Sequence, residues 1–265
     1  MSEVTVERSG HVMVVTLNRP EVKNALNDDM FAAISAALGE ASRDVGVRAV
    51  VLTGAGDAFC SGIDTRRIRN RGGVFEGTSA PRTRHGYTHG VQLMTAAFHA
   101  CEVPIIAAVN GPALGLGFDL TIQSDIRIAA RNAVFSEAFV TMGLVPGDGG
   151  FWFLPRIVGY ARALELTVTG RRIDAATAEL WGLVSQVVEP GAALDAALTL
   201  ANDIASRSPH AVRISKRLLR NAGETSLHTA LDMGALAQAV LTGSHDQLEA
   251  AAATINRRDA AFEDR

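Results

Sequence analysis

The sequence predicts an α/β protein with a helical C-terminal region. Short apolar runs alternate with helical patterns from residue 48 to 188, and the runs at 48–53 and 104–109 are typical of strands covered on both faces. From Gly191 onward the chain is alanine-rich and its pattern is helical, without a further strand. We therefore expect an α/β core over residues 1–194 and a helical region over 195–265.

The elements of the core follow from local patterns. A strand pair is predicted around the turn at Ser9-Gly10, and Asn27 is a suitable N-cap for a helix over about 28–42. Residues 66–90, rich in Arg and Gly, are predicted to form a helical turn and a mobile loop. The rest is predicted as helices over 91–101, 115–124, much of 151–169 and 175–181, and strands over 104–109, 125–130, 133–135 and 183–188.

The composition narrows the functional classes. The formal net charge of −3 argues against a broad nucleic-acid-binding surface, so no nucleic-acid partner is expected. Cys60 and Cys101 form no disulfide framework, which suits a reducing cytoplasm, and no metal site is expected. Neither a signal peptide nor a membrane span is expected, because the first residues carry charge and no long apolar stretch is present.

A glycine turn follows the strand at 48–53. It opens as Gly54-Ala55-Gly56, but Phe59 stands where a dinucleotide-binding fingerprint needs its third glycine. In Ser61-Gly62-Ile63-Asp64, small residues allow the backbone to approach a ligand, and Asp64 can cap a following helix. The N–H of Ile63 would then point outward. A capped turn without a ligand fits this stretch equally well.

A second glycine turn has a similar design. Gly115 and Gly117 expose the N–H of Leu116 at the start of a helix, where the helix dipole favours negative charge. Asp119 lies in the first turn of that helix. An acidic residue there can also be a simple cap.

Two further carboxylates follow along the chain. Glu137 follows the strand at 133–135, and Asp148 lies within the glycine-rich segment 147–150. Acidic residues in such segments often serve only the turn. Two glycine turns accompanied by acids in one chain are harder to assign to turn geometry alone.

Several motifs together resemble the enoyl-CoA hydratase/isomerase (crotonase) family. Their order and spacing match over nearly the whole chain. The matching segments are 18–20, 24–26, 59–64, 107–117, 143–146, 149–150, 154–159, 166–170 and 181–184. The resemblance implies a spiral of ββα units with a C-terminal helical trimerisation region, and a homotrimer or a hexamer formed as a dimer of trimers.

The resemblance also implies a chemistry. The substrate would be an acyl-CoA thioester, with coenzyme A as part of the substrate and no separate cofactor or metal. The backbone N–H groups of Ile63 and Leu116 would form an oxyanion hole for the thioester carbonyl, and fixed donors of this kind contribute roughly 3 kcal/mol each. The implied reaction is hydration of an enoyl-CoA double bond, or else its isomerisation.

The proton-transferring groups depart from the family pattern. Family hydratases use two glutamates; the first position matches Asp119 and the second matches Phe139, which cannot transfer a proton. In some isomerases and ring-forming synthases of the family, the working carboxylate comes from the loop that holds Asp148. The resemblance therefore implies Asp119, Asp148 and Glu137 as candidate catalytic residues.

Further ligand contacts are implied by the matching positions. They are Val22, Lys23, Ala25, Ser61, Gly62, Asp64, Arg66, Gly115 and Phe139. Arg66 begins a run with Arg67, Arg69 and Arg71 that could meet the phosphates of CoA or remain a solvated face.

Two other classes of protein compete with an acyl-CoA enzyme: a serine protease and a non-catalytic binding protein. A serine protease on the same spiral fold needs a Ser-His-Asp set, and the sequence has no Gly-x-Ser-x-Gly turn to supply it. A non-catalytic homologue that binds acyl-CoA or RNA is favoured by Phe139, and the retained acids argue against it.

Overall fold

The fold is mixed α/β with a helical C-terminal region, as the sequence predicts. The computed structural model describes residues 2–66 and 79–263, and elements are numbered within those ranges. The strands are β1 (Val4–Ser9), β2 (Val12–Leu17), β3 (Ala49–Gly54), β4 (Ile105–Val109), β5 (Ala113–Leu114), β6 (Ile126–Ala130), β7 (Val134–Ser136), β8 (Ile173–Asp174) and β9 (Gln186–Val188).

Helices surround these strands and make up the C-terminal region. They are α1 (Asp28–Arg43), α2 (Ala80–His89), α3 (Val91–Ala100), α4 (Leu116–Gln123), α5 (Gly150–Val158), α6 (Tyr160–Thr169), α7 (Ala175–Leu180), α8 (Ala193–Ala205), α9 (Pro209–Ala222), α10 (Leu227–Leu241) and α11 (His245–Asn256). The side chain of Asn27 accepts from the Met30 N–H, so the predicted N-cap of α1 is confirmed.

The main sheet has the strand order β1-β2-β3-β4-β6-β9. β1 runs antiparallel to β2, and the other neighbours are parallel. Alternate residues of β3 enter two cores: Val50 and Leu52 pack into the larger one, while Val51 packs beneath α8. Both faces are therefore covered, which explains the continuous apolar runs of β3 and β4.

A second, shorter layer follows the strands of the main sheet. After β3, Cys60 bridges to Ala113 in β5; β5 pairs with β7, and β7 pairs with β8. Each of β3, β4 and β6 is thus followed by a short extended segment. This is the strand–strand repeat expected for a spiral of ββα units.

The C-terminal helices differ in what they bury. Alanines at four-residue spacing place α8 against the main sheet. None of the described residues of α10 is buried, and four of its large apolar residues are exposed: Leu227, Leu231, Leu236 and Val240. α8 begins at Ala193, and the predicted division of the chain after residue 194 stays a prediction.

The segment predicted as a loop over 66–90 contains a helix, so that expectation is wrong for 80–89. α2 buries none of its described residues, and it therefore lacks the apolar stripe by which a helix is read from sequence. Pro81 in its first turn fits a helix start. Residues 67–78 lie outside the described ranges.

Gly117 marks a close approach of the two glycine turns, and substitution there should destabilise the fold. A Cβ at this position would overlap the Cys60 carbonyl oxygen and lie 2.7 Å from the Cys60 Cβ. We expect Gly117→Ala to lower the free energy of unfolding by about 2 kcal/mol, as measured by urea denaturation.

Gly39→Ala within α1 is the matched control. Its Cβ would meet only the flexible guanidinium of Arg43, at 3.3 Å. Better helix propensity should raise the free energy of unfolding by up to about 1 kcal/mol. A Gly117→Ala protein as stable as the parent would show that the two turns are not in tight contact.

Candidate active site

The first glycine turn directs the N–H of Ile63 away from the adjacent segment at Leu26. Leu26 N donates to Gly62 O at 2.8 Å, and Asp64 N donates to Leu26 O at 3.0 Å. In this parallel bridge the N–H of Ile63 lies on the opposite side, and it donates to no described residue. Gly62 has φ +99° and passes so close to Leu114 that a Cβ would lie 2.8 Å from the Leu114 oxygen.

Two side-chain amides hold this turn in place. The Asn24 side chain donates to the carbonyl oxygens of Ala55 and Ala58 at 2.9 and 2.8 Å. Asn110 both donates to Gly54 O and accepts from Gly54 N. These bonds satisfy backbone groups that the turn itself leaves unpaired.

Asp64 closes the turn as an ionised cap. Its carboxylate accepts from the Arg66 N–H at 3.1 Å and from the Arg66 guanidinium at 2.9 and 2.6 Å. The hydrogen bond from Arg66 lowers the pKa of Asp64 to about 2. Arg66, predicted as a phosphate contact, is thus placed beside the turn with its side chain 59% exposed.

The second glycine turn places the N–H of Leu116 at the start of α4. Gly115 has φ +52°, and its N–H donates to Ser136 O at 2.8 Å. The first N–H groups of a helix have no partner within the helix, and the N–H of Leu116 donates to no described residue. A Cβ at Gly62 would lie 3.7 Å from Leu116 N, so the two turns are adjacent.

A narrow cavity of about 20 Å³ lies between the two turns, which is about the space of one water molecule. Its lining residues are Ile63, Tyr87, Val91, Leu116, Phe139, Leu144 and Asp148. Both residues predicted to supply oxyanion donors therefore face the same space as one of the predicted acids.

The structure brings Asp119, Glu137 and Asp148 together in the core. All three are buried, on α4, after β7 and before α5 respectively. A Cβ at Gly150 would lie within 2.7 Å of both an Asp119 and a Glu137 oxygen, so these oxygens are within about 5 Å of each other. None of the six carboxyl oxygens accepts a hydrogen bond from another described residue, and protons shared among the acids are hydrogen bonds that the cluster itself can supply.

Burial and mutual repulsion separate the proton affinities of these acids. Burial raises the pKa of Asp148 to about 6 and that of Glu137 to about 8. Burial, and next the charges of Asp148 and Glu137, raise the pKa of Asp119 well above its ordinary value. Of Asp148 and Glu137, Asp148 is therefore the more readily ionised, and carboxyl groups with separated pKa values are what a base and an acid require.

The other predicted contacts lie around the first turn. Ser61 N donates to Lys23 O at 2.9 Å, and the Ser61 hydroxyl donates to Val22 O at 3.2 Å. Ala25 is buried beside them, and Phe139 lines the cavity. The ligand-binding roles of these residues stay predictions, and Arg67, Arg69 and Arg71 lie outside the described residues.

Sequence reasoning missed part of the cavity wall. Val91 and Leu144 line it, yet an apolar residue on a helix or in a loop carries no signal that separates a site from a core. Over residues 2–66 and 79–263, no cluster of three His, Cys, Asp or Glu side chains could hold a metal ion. None of the helices described is both long and apolar enough to cross a membrane.

Comparison with known proteins identifies the family. Residues 7–265 match the family model for enoyl-CoA hydratase/isomerase. A short-chain-enoyl-CoA hydratase of Clostridium acetobutylicum is 37% identical over 262 residues, covering 97% of this chain and 96% of the relative. A 1,2-epoxyphenylacetyl-CoA isomerase of Escherichia coli is 36% identical over 251 residues, covering 95% and 94%.

Comparison with solved structures identifies the same family. The crystal structure of an enoyl-CoA hydratase from Bacillus anthracis matches this structure with a TM-score of 0.92 and 33% identity, over 100% of both chains. This chain therefore belongs to the enoyl-CoA hydratase/isomerase family, which confirms the resemblance seen in its motifs.

The raised pKa values predict how stability changes with pH. The folded pKa values of Asp148 and Glu137, about 6 and about 8, lie above those of exposed carboxyls, so the folded protein binds more protons than the unfolded chain. This contribution is fully present at low pH and is lost as the pH rises through about 6 and then about 8. We expect the free energy of unfolding, from urea titrations, to fall between about pH 4 and pH 8 by about 1.4 kcal/mol per pH unit for each extra proton bound.

Glu137→Gln should flatten the upper part of that dependence, near pH 8. Glu7→Gln on β1, at an exposed carboxyl, is the control and should leave the curve unchanged. A Glu137→Gln curve that parallels the parent curve up to about pH 9 would contradict a raised pKa at this position.

Proposed function

We propose that this chain acts on an enoyl-CoA thioester. Its carbonyl oxygen is held by the N–H groups of Ile63 and Leu116, while Asp148 moves a proton at the carbon next to the carbonyl. The observation that carries the proposal is the single cavity lined by both donor residues and by Asp148. Loss of the α-proton places negative charge on the thioester oxygen, where two fixed donors stabilise it.

Of the two reactions of the family, the cavity favours isomerisation. Among the three acids only Asp148 lines it, and Phe139 stands where family hydratases have their second glutamate. One carboxylate is sufficient to take a proton from the α-carbon of a 3-enoyl thioester and return it to the γ-carbon. The electron pair of the broken α-C–H bond forms the new α,β double bond, the π pair of the former β,γ double bond takes the returned proton at the γ-carbon, and no water is consumed.

Hydration is the second candidate. Asp119 lies close enough to Asp148 for each carboxyl to change the pKa of the other, and the cavity has room for one water molecule. Asp148 would activate that water, and Asp119 would act as the proton donor behind it. The relative from Clostridium acetobutylicum is a hydratase by name, which supports this reaction.

Removal of the proposed base tests the function directly. We expect the parent protein to convert a 3-enoyl-CoA to the conjugated 2-enoyl-CoA, followed by the rise in thioester absorbance. Asp148→Asn should lower kcat by about 100-fold or more, and Asp119→Asn by a similar factor if it shares the proton. Glu137→Gln should cost less, because Glu137 does not line the cavity.

Two measurements complete this test. Acyl-CoA affinity should be unchanged in Asp148→Asn, since the amide has nearly the shape of the carboxylate. A parent protein that hydrates crotonyl-CoA but leaves 3-enoyl-CoA unchanged would establish hydration instead. Turnover of neither substrate, or full activity of Asp148→Asn, would refute the proposal and support a non-catalytic acyl-CoA-binding protein.

We further propose that the chain works as a trimer or a pair of trimers in the cytoplasm. α10 presents a row of exposed apolar side chains, and exposed apolar side chains also occur on α5 and α6. Apolar surfaces of this extent indicate contact with another chain. The unpaired thiols of Cys60 and Cys101 suit a reducing compartment.

Light scattering tests the assembly. We expect a mass about three or six times the chain mass of 27.9 kDa. Leu231→Asp on α10 should shift the protein towards single chains, because it places a charge in the proposed interface. Asp232→Asn, at the next position, is the control. A parent protein of monomer mass at micromolar concentration would rule out this assembly.

A further inference from the structure

The loop that carries Asp148 is fixed through its main-chain oxygens. The Thr95 hydroxyl donates to Asp148 O at 2.7 Å, and the Gln123 amide donates to the same oxygen at 3.1 Å. The Gln92 amide donates to the adjacent Gly147 O at 2.7 Å. Since Asp148 lies between glycines, which restrict the backbone least, these side chains largely determine where the loop lies.

The same bonds connect the loop to the rest of the site. Gln123 follows Asp119 by four residues on α4, so the two side chains share one face of the helix. The same helix starts at Leu116, one of the two proposed oxyanion donors. Thr95 belongs to α3, which supplies Val91 to the cavity wall. One short helix therefore carries a donor, an acid and a contact to the loop of the proposed base.

The Gln123 side chain lowers the stability of the fold at its position. It is buried, and its Oε1 has no hydrogen-bond partner in the part of the chain that the structure describes. An unpaired buried oxygen destabilises a fold, and the hydrogen bond that the Gln123 amide donates to Asp148 O offsets this only in part. A leucine of similar size would fill the space without that cost, so the amide calls for a role other than packing.

We propose that Gln123 and Thr95 are positioning residues that hold the Asp148 carboxylate against the substrate α-carbon and beside Asp119. The inference rests on the proposed function, in which Asp148 transfers the proton. A carbonyl oxygen held by two donors fixes the peptide from which the side chain projects. Proton transfer is sensitive to such placement, since an error of about 1 Å can lower the rate about 100-fold.

The test replaces each donor by an apolar side chain of similar size, in the full-length protein with 3-enoyl-CoA as substrate. Gln123→Leu and Thr95→Val should each lower kcat by about 10- to 100-fold, with KM within about twofold of the parent. Thr95→Ser keeps the hydroxyl and should recover most of the loss seen in Thr95→Val. Gln92→Leu should cost less than either, because the Gln92 amide donates to Gly147 O and not to Asp148 O.

The pH profile separates placement from simple destabilisation. An apolar group beside the buried Asp148 disfavours its ionised form, so the acidic limb of kcat/KM should move to higher pH in Gln123→Leu and Thr95→Val. A merely structural role would lower the melting temperature and leave this limb in place. Thr199→Val, the same chemical change at an exposed position on α8, is the matched control and should alter neither quantity.

Each outcome decides between the two proposals. If Gln123→Leu and Thr95→Val keep the parent kcat and pH limb while Asp148→Asn is inactive, the positioning role is overturned and the proposed function stands. If Asp148→Asn also keeps full activity, the proposed function itself fails. Should Gln123→Leu not fold, the pair Thr95→Val and Thr95→Ser decides the question, because Thr95 is only partly buried.

Discussion

The close contact of two glycine turns is the constraint on which the whole site depends. Leu114 N donates to Cys60 O at 2.9 Å, and Cys60 N donates to Pro112 O at 3.1 Å, so the turns are joined as a short piece of sheet. The absence of a Cβ at Gly117 allows the helix start to reach the first turn. Ile63 and Leu116, which are distant in the sequence, thereby line one small cavity, and in the proposed reaction the developing charge would meet donors already in position.

Behind these two residues lies a cluster of buried acids that is unfavourable for stability. Three carboxyl groups lie in the core without a hydrogen-bonding partner of another kind, and their burial opposes ionisation. The fold makes room for them at Gly150, where any side chain would displace two of the acids. Natural proteins hold such strained polar clusters chiefly where function requires them, since the same groups would be replaced by apolar ones if stability alone mattered.

Local sequence patterns are sufficient to predict the main strands and helices of this protein and its two glycine turns. β3 and β4 were predicted because continuous apolar runs report coverage on both faces, and α1 because its cap and apolar stripe agree. α2 was not predicted, since an exposed helix leaves no periodic signal. The convergence of Glu137 and Asp148 on Asp119 could not be derived from spacing either. It depends on how β7 and the loop before α5 return to α4, which is a long-range contact.

The parallel main sheet also has a consequence for the order in which the chain can bury its apolar surface. β9 joins the sheet at residues 186–188, and α8, which covers Val51, Ile106 and Ile128, ends at Ala205. Until the ribosome has released the chain to that point, one face of β3, β4 and β6 has nothing to cover it. Nascent chains of non-local topology expose such surfaces for longer and are prone to associate. Docking of the alanine face of α8 ends this exposure during synthesis.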